Sequence, residues 1–218
     1  MTALTIGIEG SDGVGKATQS KMLKEYFESL SKKVAVVSFP RYTETCGGKI
    51  LWELMKSERS GYYGFVNLPP REASLFYAAD RLESKAWLEE LILANDVVIF
   101  DRYVESNLIH QGGKLVSAKE RHDLLEYVKG LEYGTHNLPK PDKIIYLSLP
   151  VEISIARAVA RAKEMGVRLD SVESDFLYLE NSCASGMFYA EYLGWNVINC
   201  ENKNPDQVHS EIKIMLDV

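Results

Sequence analysis

The run Gly10-Ser11-Asp12-Gly13-Val14-Gly15-Lys16, with Ala17 and Thr18 after it, narrows most severely what this chain can become. Glycines at Gly10, Gly13 and Gly15 permit backbone conformations closed to other residues, so successive N–H groups can turn inward on an anion. A strand-like stretch, Leu4 to Ile8, precedes the run. A helical stretch, Lys16 to Leu30, follows it, with Met22, Leu23, Tyr26, Phe27 and Leu30 recurring on one face. Strand, loop and helix in that order make a phosphate-binding loop rather than a glycine-rich hairpin. The helix N-terminus adds positive potential, and Lys16 can reach the β and γ phosphates of a nucleotide. Ala17 departs from the usual pattern, which has there a Ser or Thr hydroxyl for Mg2+; the nearest hydroxyl is displaced to Thr18.

Further short apolar runs rich in β-branched residues lie at Val34 to Phe39, Val97 to Phe100, Lys143 to Leu149 and Trp195 to Asn199. Their alternation with helical stretches predicts a parallel sheet covered by helices on both faces, with ligands beyond the carboxyl ends of the strands. Pro69-Pro70 and Pro139-Lys140-Pro141 read as turns within one domain, and 218 residues suit a single α/β unit, 1–218. With 31 acidic against 25 basic residues, the net charge of -6 argues against a surface that tracks nucleic acid. Cys46, Cys183 and Cys200 show neither zinc spacing nor a disulfide pattern and read as thiols in a reducing compartment. Met1 leads into the first strand without a basic and apolar leader, so a cytoplasmic protein with no membrane segment is expected.

The run Val97-Val98-Ile99-Phe100-Asp101 ends a strand in a carboxylate, which suits Mg2+ held through water beside the phosphate loop. Arg102 follows at once, and at a strand's carboxyl edge both side chains can bend into the crevice, one to metal and one to phosphate.

With Glu9-Gly10-Ser11-Asp12-Gly13, Phe39-Pro40-Arg41-Tyr42, Tyr77-Ala78-Ala79-Asp80-Arg81, Asp101-Arg102-Tyr103 with Ser106-Asn107, and Leu138-Pro139-Lys140-Pro141-Asp142 in this order, the chain resembles the thymidylate kinase family. The resemblance implies an α/β fold with a doubly wound, five-stranded parallel sheet of the P-loop nucleoside monophosphate kinase type. It also implies ATP with Mg2+ as donor, dTMP as acceptor, and a homodimer. Tyr77 and Arg81, four apart on a helix, can face one ligand, the ring stacking on a pyrimidine and the guanidinium bonding its carbonyl edge. Arg41 and Arg102, each following a strand, are placed to clamp a doubly charged acceptor phosphate with forked donors. The resemblance puts Asp12 near metal, sugar and the catalytic Arg, puts Asn107 at the base or sugar edge, and suggests a cis Phe39-Pro40 bond. Ile109-His110-Gln111 departs from the family's commoner Ala-Tyr-Gln, and His110 receives no role.

A phosphoryl-transfer transition state needs a cation for its equatorial oxygens. Ser11, Gly13 and Val14 supply none, so a short lid at about 157–173 is expected to do so. Arg157 and Arg161 share a helix face there, where their charges repel unless an anion such as ATP screens them. Arg161 is the first choice for catalysis and Arg168 the second. Asp170 and Glu173 have the spacing of a helix cap and its reciprocal carboxylate, while the resemblance puts such carboxylates beside bound dTMP or its arginines. Two other readings stay open: a kinase for another monophosphate or a deoxynucleoside, for which Arg41 would have less use, and a nucleotide binder without turnover. Asn202-Lys203-Asn204-Pro205 does not make a guanine site, since Pro205 stands at the required Asp.

Overall fold

Strands apolar on both faces must be covered twice, and that requirement organises the molecule. The computed structural model describes residues 3–56, 67–165 and 176–218, and only the backbone at residues 158, 161, 162, 164 and 165. In chain order it runs β1 (Leu4–Gly10), α1 (Lys16–Ser29), β2 (Val34–Ser38), α2 (Cys46–Lys56), α3 (Pro70–Glu83), α4 (Lys85–Ala94), β3 (Val97–Asp101), α5 (Glu105–Gly112) and α6 (Ala118–Val128). A π-helical turn, Lys129–Thr135, continues α6, and β4 (Lys143–Ser148), α7 (Val151–Met165), α8 (Phe176–Leu193), β5 (Asn196–Asn199) and α9 (Pro205–Leu216) complete it.

The five strands form one parallel sheet in the order β2-β3-β1-β4-β5. The chain leaves β1 toward one edge and, after β3, crosses to the other, so a crevice opens at the carboxyl ends of the central strands. Side chains alternate between two cores. Ile6, Ile8, Ile99, Ile145 and Leu147 meet Leu23 and Phe27 of α1 and Ile212 of α9. Val37, Val98 and Phe100 meet Leu88 of α4, Leu108 of α5, Leu124 of α6 and Tyr189 of α8.

The five strands lie where apolar runs predict them, with Trp195 falling just before β5. Leu30 is 51% exposed, because it caps α1 after the buried face of Leu23 and Phe27 has ended. Pro70 does not sit in a turn: it opens α3, where a fixed φ and a missing N–H cost nothing. The irregular segment Pro139–Asp142 locks β4 to β1, with Thr5 N and Oγ1 donating to Asp142 Oδ2 at 2.8 and 2.7 Å. Among the described residues no helix is long and apolar enough to cross a membrane.

Helix α8 approaches the sheet through Gly186, where an added Cβ would lie 2.2 Å from Tyr146 Oη. Tyr146 is only 1% exposed and has no room to swing. Overpacking of about 1–3 kcal/mol outweighs the roughly 1 kcal/mol of helix propensity that alanine adds. Gly186→Ala is therefore expected to lower the thermal midpoint by about 2–6 °C in calorimetry, and an unchanged or raised midpoint would contradict this packing.

Candidate active site

The loop between β1 and α1 takes its shape from three glycines with φ of +145° (Gly10), +77° (Gly13) and +103° (Gly15). A Cβ on Gly10 would lie 2.5 Å from the Leu147 carbonyl oxygen, and one on Gly13 2.5 Å from that of Ser154, so both are packed tight. A Cβ on Gly15 would meet nothing within 4 Å, so space is open beside the loop there. Helix α1 begins beside that opening with neither a side-chain cap nor an acidic residue in its first turn, which leaves its N–H groups available to an anion. Lys16 Nζ donates to the carbonyls of Gly10 (3.0 Å) and Ser11 (2.7 Å) and lies 4.0 Å from Asp12 Oδ1. Burial, and next the charge of Arg102, pulls its pKa down to about 8.

A cavity of about 380 Å3 brings Asp12, Lys16, Thr18, Asp101, Arg102 and Arg157 together. A second of about 380 Å3 shares Gly13, Gly15, Thr18 and Arg157 with the first and is walled further by Cys200, Lys203 and Pro205. Ala17 and Thr18 are both exposed at the start of α1.

Arg102 has a φ of +67°, unusual for a residue with a side chain. Glu9, wholly buried at the end of β1, explains how it is held: Oε1 accepts from Tyr103 N at 2.7 Å and Oε2 from Ser106 Oγ at 2.6 Å. From there the Arg102 guanidinium reaches the loop, donating through Nη2 to Asp12, while Nη1 lies 2.9 Å from His110 Nε2. Glu9 and His110 drew no assignment from the sequence, although a carboxylate closing an apolar strand is a visible signal.

On the neighbouring side, the Phe39–Pro40 bond is cis and Arg41 follows it. Arg41 N donates to Asp80 Oδ2 at 2.9 Å, its Nη1 donates to Ser84 Oγ at 3.0 Å, and its guanidinium lies 3.8 Å from the Trp87 ring centroid. Tyr77 is half-buried one turn before Arg81. Arg81, expected at the base edge, is buried: Nε and Nη2 donate to Glu132, and Nη1 donates to the Tyr103 carbonyl. These bonds use three of its five N–H groups. Asn107, likewise buried, donates to Glu132 Oε1 at 2.9 Å. Glu132 had no signal in the sequence; it is 51 residues from Arg81 and meets it only through folding. Helix α7 takes in residues 157–165 of the expected lid, Arg161 among them, but the Arg161 side chain and residues 166–173, with Arg168, Asp170 and Glu173, lie outside the described residues.

The donor set fits a magnesium nucleotide. Carboxylates of Asp12 and Asp101 and the hydroxyl of Thr18 are hard oxygen ligands at the cavity, and Lys16, Arg102 and Arg157 are cations for phosphate. Among the described residues no group of three or more His, Cys, Asp or Glu could cage a metal. An ion here would be held by few protein oxygens together with phosphate and water, as Mg2+ usually is.

A family model described as thymidylate kinase matches residues 8–212. The thymidylate kinase of Mycobacterium tuberculosis is 31% identical over 199 residues, covering 88% of this chain and 87% of its own length. That of Bifidobacterium longum subsp. infantis is 31% identical over 215 residues, covering 98% of this chain and 85% of its own. The structure of thymidylate kinase from Candida albicans superposes with a TM-score of 0.76 at 20% identity over 99% of this chain and 92% of that one, which supports the shared fold.

Burial, with nearby Glu105 second, raises the pKa of Glu9 from 4.5 to about 7. The folded state thus holds this proton more tightly than the unfolded chain does. The contribution of Glu9 to stability is fullest below about 4.5, falls as pH rises, and levels off above about 7. In urea titrations of parent and Glu9→Gln across that window, the parent should lose about 2–3 kcal/mol relative to the variant as pH rises. Parallel pH profiles would show that Glu9 titrates normally.

Proposed function

The chain belongs to the thymidylate kinase family, and on that premise we propose that it transfers the γ-phosphoryl group of ATP to dTMP, giving dTDP and ADP, with Mg2+ as the metal. The observation that supports this reading is the gathering of Lys16, Arg102 and Arg157 with Asp12 and Asp101 around one cavity at the phosphate loop. Such transfer asks the protein for positioning and electrostatics rather than covalent chemistry.

Lys16 rests on two loop carbonyls, so β and γ phosphates exchange neutral acceptors for charged ones, which bind an ammonium more strongly. Arg157 faces both cavities, and the one walled by Cys200, Lys203 and Pro205 is assigned to the adenine. The segment Asn202 to Pro205, unsuited to guanine, thereby gains a use as a wall. Asp101, Asp12 and Thr18 are the residues that would hold Mg2+, which when bound would neutralise phosphate charge. Arg41, stacked on Trp87 and steadied by Ser84, clamps the acceptor phosphate with Arg102. Tyr77 and the free N–H groups of Arg81 take the thymine, and Asn107 keeps Glu132 and Arg81 in register. Arg161, with Arg168 behind it, and Asp170 and Glu173 are assigned to the lid and acceptor on the family resemblance. A homodimer is also proposed, supported by exposed Ile50, Trp52, Leu75 and Leu82 on α2 and α3. Its place is the cytoplasm, where the free Cys46, Cys183 and Cys200 stay reduced.

The experiment is a coupled assay of ADP release with Mg2+ and ATP, comparing dTMP, dUMP, AMP and thymidine against a background without acceptor. The highest kcat/KM should belong to dTMP; a preference for thymidine or another monophosphate would overturn the acceptor assignment. If a folded, ATP-binding protein phosphorylates none of them, the reading as a binder without turnover replaces this one. In the same assay Arg41→Ala should raise the KM for dTMP about 10- to 100-fold, the worth of a hydrogen bond to a charged group. Equal KM values for variant and parent would remove Arg41 from the acceptor site.

A further inference from the structure

We propose that His110 is a positioning residue for phosphoryl transfer: as a neutral imidazole protonated at Nδ1, it braces the guanidinium of Arg102 from α5 and is itself braced by Tyr178 at the start of α8. This rests on the kinase reading and adds to it a residue to which the sequence lent no role.

The tautomer follows from donor arithmetic. Arginine has only donors, so a 2.9 Å contact between Arg102 Nη1 and His110 Nε2 requires an unprotonated Nε2. A neutral imidazole then carries its proton on Nδ1, which lies 3.3 Å from the Tyr178 hydroxyl and donates to it. The two rings are stacked nearly parallel, 13° between planes with centroids 6.0 Å apart, so Tyr178 restrains the tilt of the imidazole as well. A charged imidazole could not accept from Arg102. Burial, with the Arg102 charge second, keeps His110 neutral by lowering its pKa to about 3.

The brace acts on a guanidinium already tied at its other end. Nη2 donates to Asp12 in the phosphate loop and Nη1 to His110 on α5, so the planar fork is held at both nitrogens. One anchor would let the head of a long side chain pivot; two fix its plane and its distance from the loop. Electrostatic stabilisation depends on a charge waiting in place, and a misplacement of about 1 Å can cost about 100-fold in rate. A tyrosine at this position, as in the family's commoner Ala-Tyr-Gln, offers a hydroxyl on a longer arm; the imidazole offers a lone pair fixed by its partner.

The test compares parent, His110→Phe, His110→Gln and Tyr178→Phe in the dTMP assay, with thermal midpoints recorded beside it. Phenylalanine keeps the ring and loses the acceptor, whereas the Gln Oε1 can stand where Nε2 stood. His110→Phe should lower kcat about 10- to 100-fold with the KM for ATP within about twofold of the parent. His110→Gln should recover most of that loss, and Tyr178→Phe should lose less than His110→Phe, since Arg102 alone still selects the tautomer. A kcat for His110→Phe within about twofold of the parent overturns the proposal, as does a His110→Gln no better than His110→Phe. Nitrogen-15 spectra of the parent, with the His110 signal assigned by its loss in His110→Gln, should show Nδ1 protonated and Nε2 bare; a proton on Nε2 also overturns the proposal. That measurement needs no turnover and no Phe variant. A parent that phosphorylates no acceptor would sink the kinase reading while the spectra still decide the brace.

Discussion

Glu9 is the constraint on which the centre of the molecule depends. Its carboxylate, buried where β1 gives way to the phosphate loop, binds the backbone N–H after Arg102 and the hydroxyl of Ser106, tying the ends of β1 and β3 together. Burying a carboxylate is costly, and the raised pKa expresses that cost. An apolar residue would pack more cheaply but would leave Tyr103 N without a partner at the point where Arg102 takes up a left-handed conformation. Because the carboxylate is there, the chain turns so that the Arg102 side chain points back at Asp12 rather than along the strand.

The same device recurs on the acceptor side. Glu132 holds Arg81 and Asn107 together, and Asp80, the residue before Arg81 on α3, accepts from the backbone of Arg41. Buried ion pairs add little net stability over well-packed apolar residues, yet losing one partner leaves a charge stranded at a cost of about 3–5 kcal/mol. Their value here lies in geometry: α3 carries Tyr77, Asp80 and Arg81 on neighbouring turns, so one helix ties the Arg41 loop to the pocket proposed for the base.

What the sequence disclosed and what it hid follow the range of the interactions. The glycine loop, the strands and the face of α1 declare themselves through local rules, alternation, helical period and glycine conformations, and the structure has them within a residue or so. Asp101 and Arg102 stand where the sequence places them, at the end of an apolar strand and beside the phosphate loop. The buried anions that orient the cations were not legible. Glu132 and Arg81, or Glu9 and Ser106, share no local pattern, and hydrogen-bond partners 51 and 97 residues apart become visible only when the sheet and helices bring them together. Arg81 accordingly reads from the sequence as a ligand-facing cation and is found largely anchored in protein.

Three cations of the site are already partnered before a nucleotide arrives: Lys16 with loop carbonyls, Arg102 with Asp12 and His110, and on the neighbouring side Arg41 with Ser84 and the Trp87 ring. On the proposed reading, binding would exchange one set of acceptors for another, with little fresh desolvation and no need to gather the cations against their mutual repulsion. The displaced hydroxyl fits the same economy. With Ala17 unable to serve a metal, Thr18 stands where the two cavities meet, and Asp12 and Asp101 supply the nearby hard oxygens. In such a site an ion would be held chiefly by the phosphates it neutralises, and the protein's share of the work would fall to residues that keep cations still.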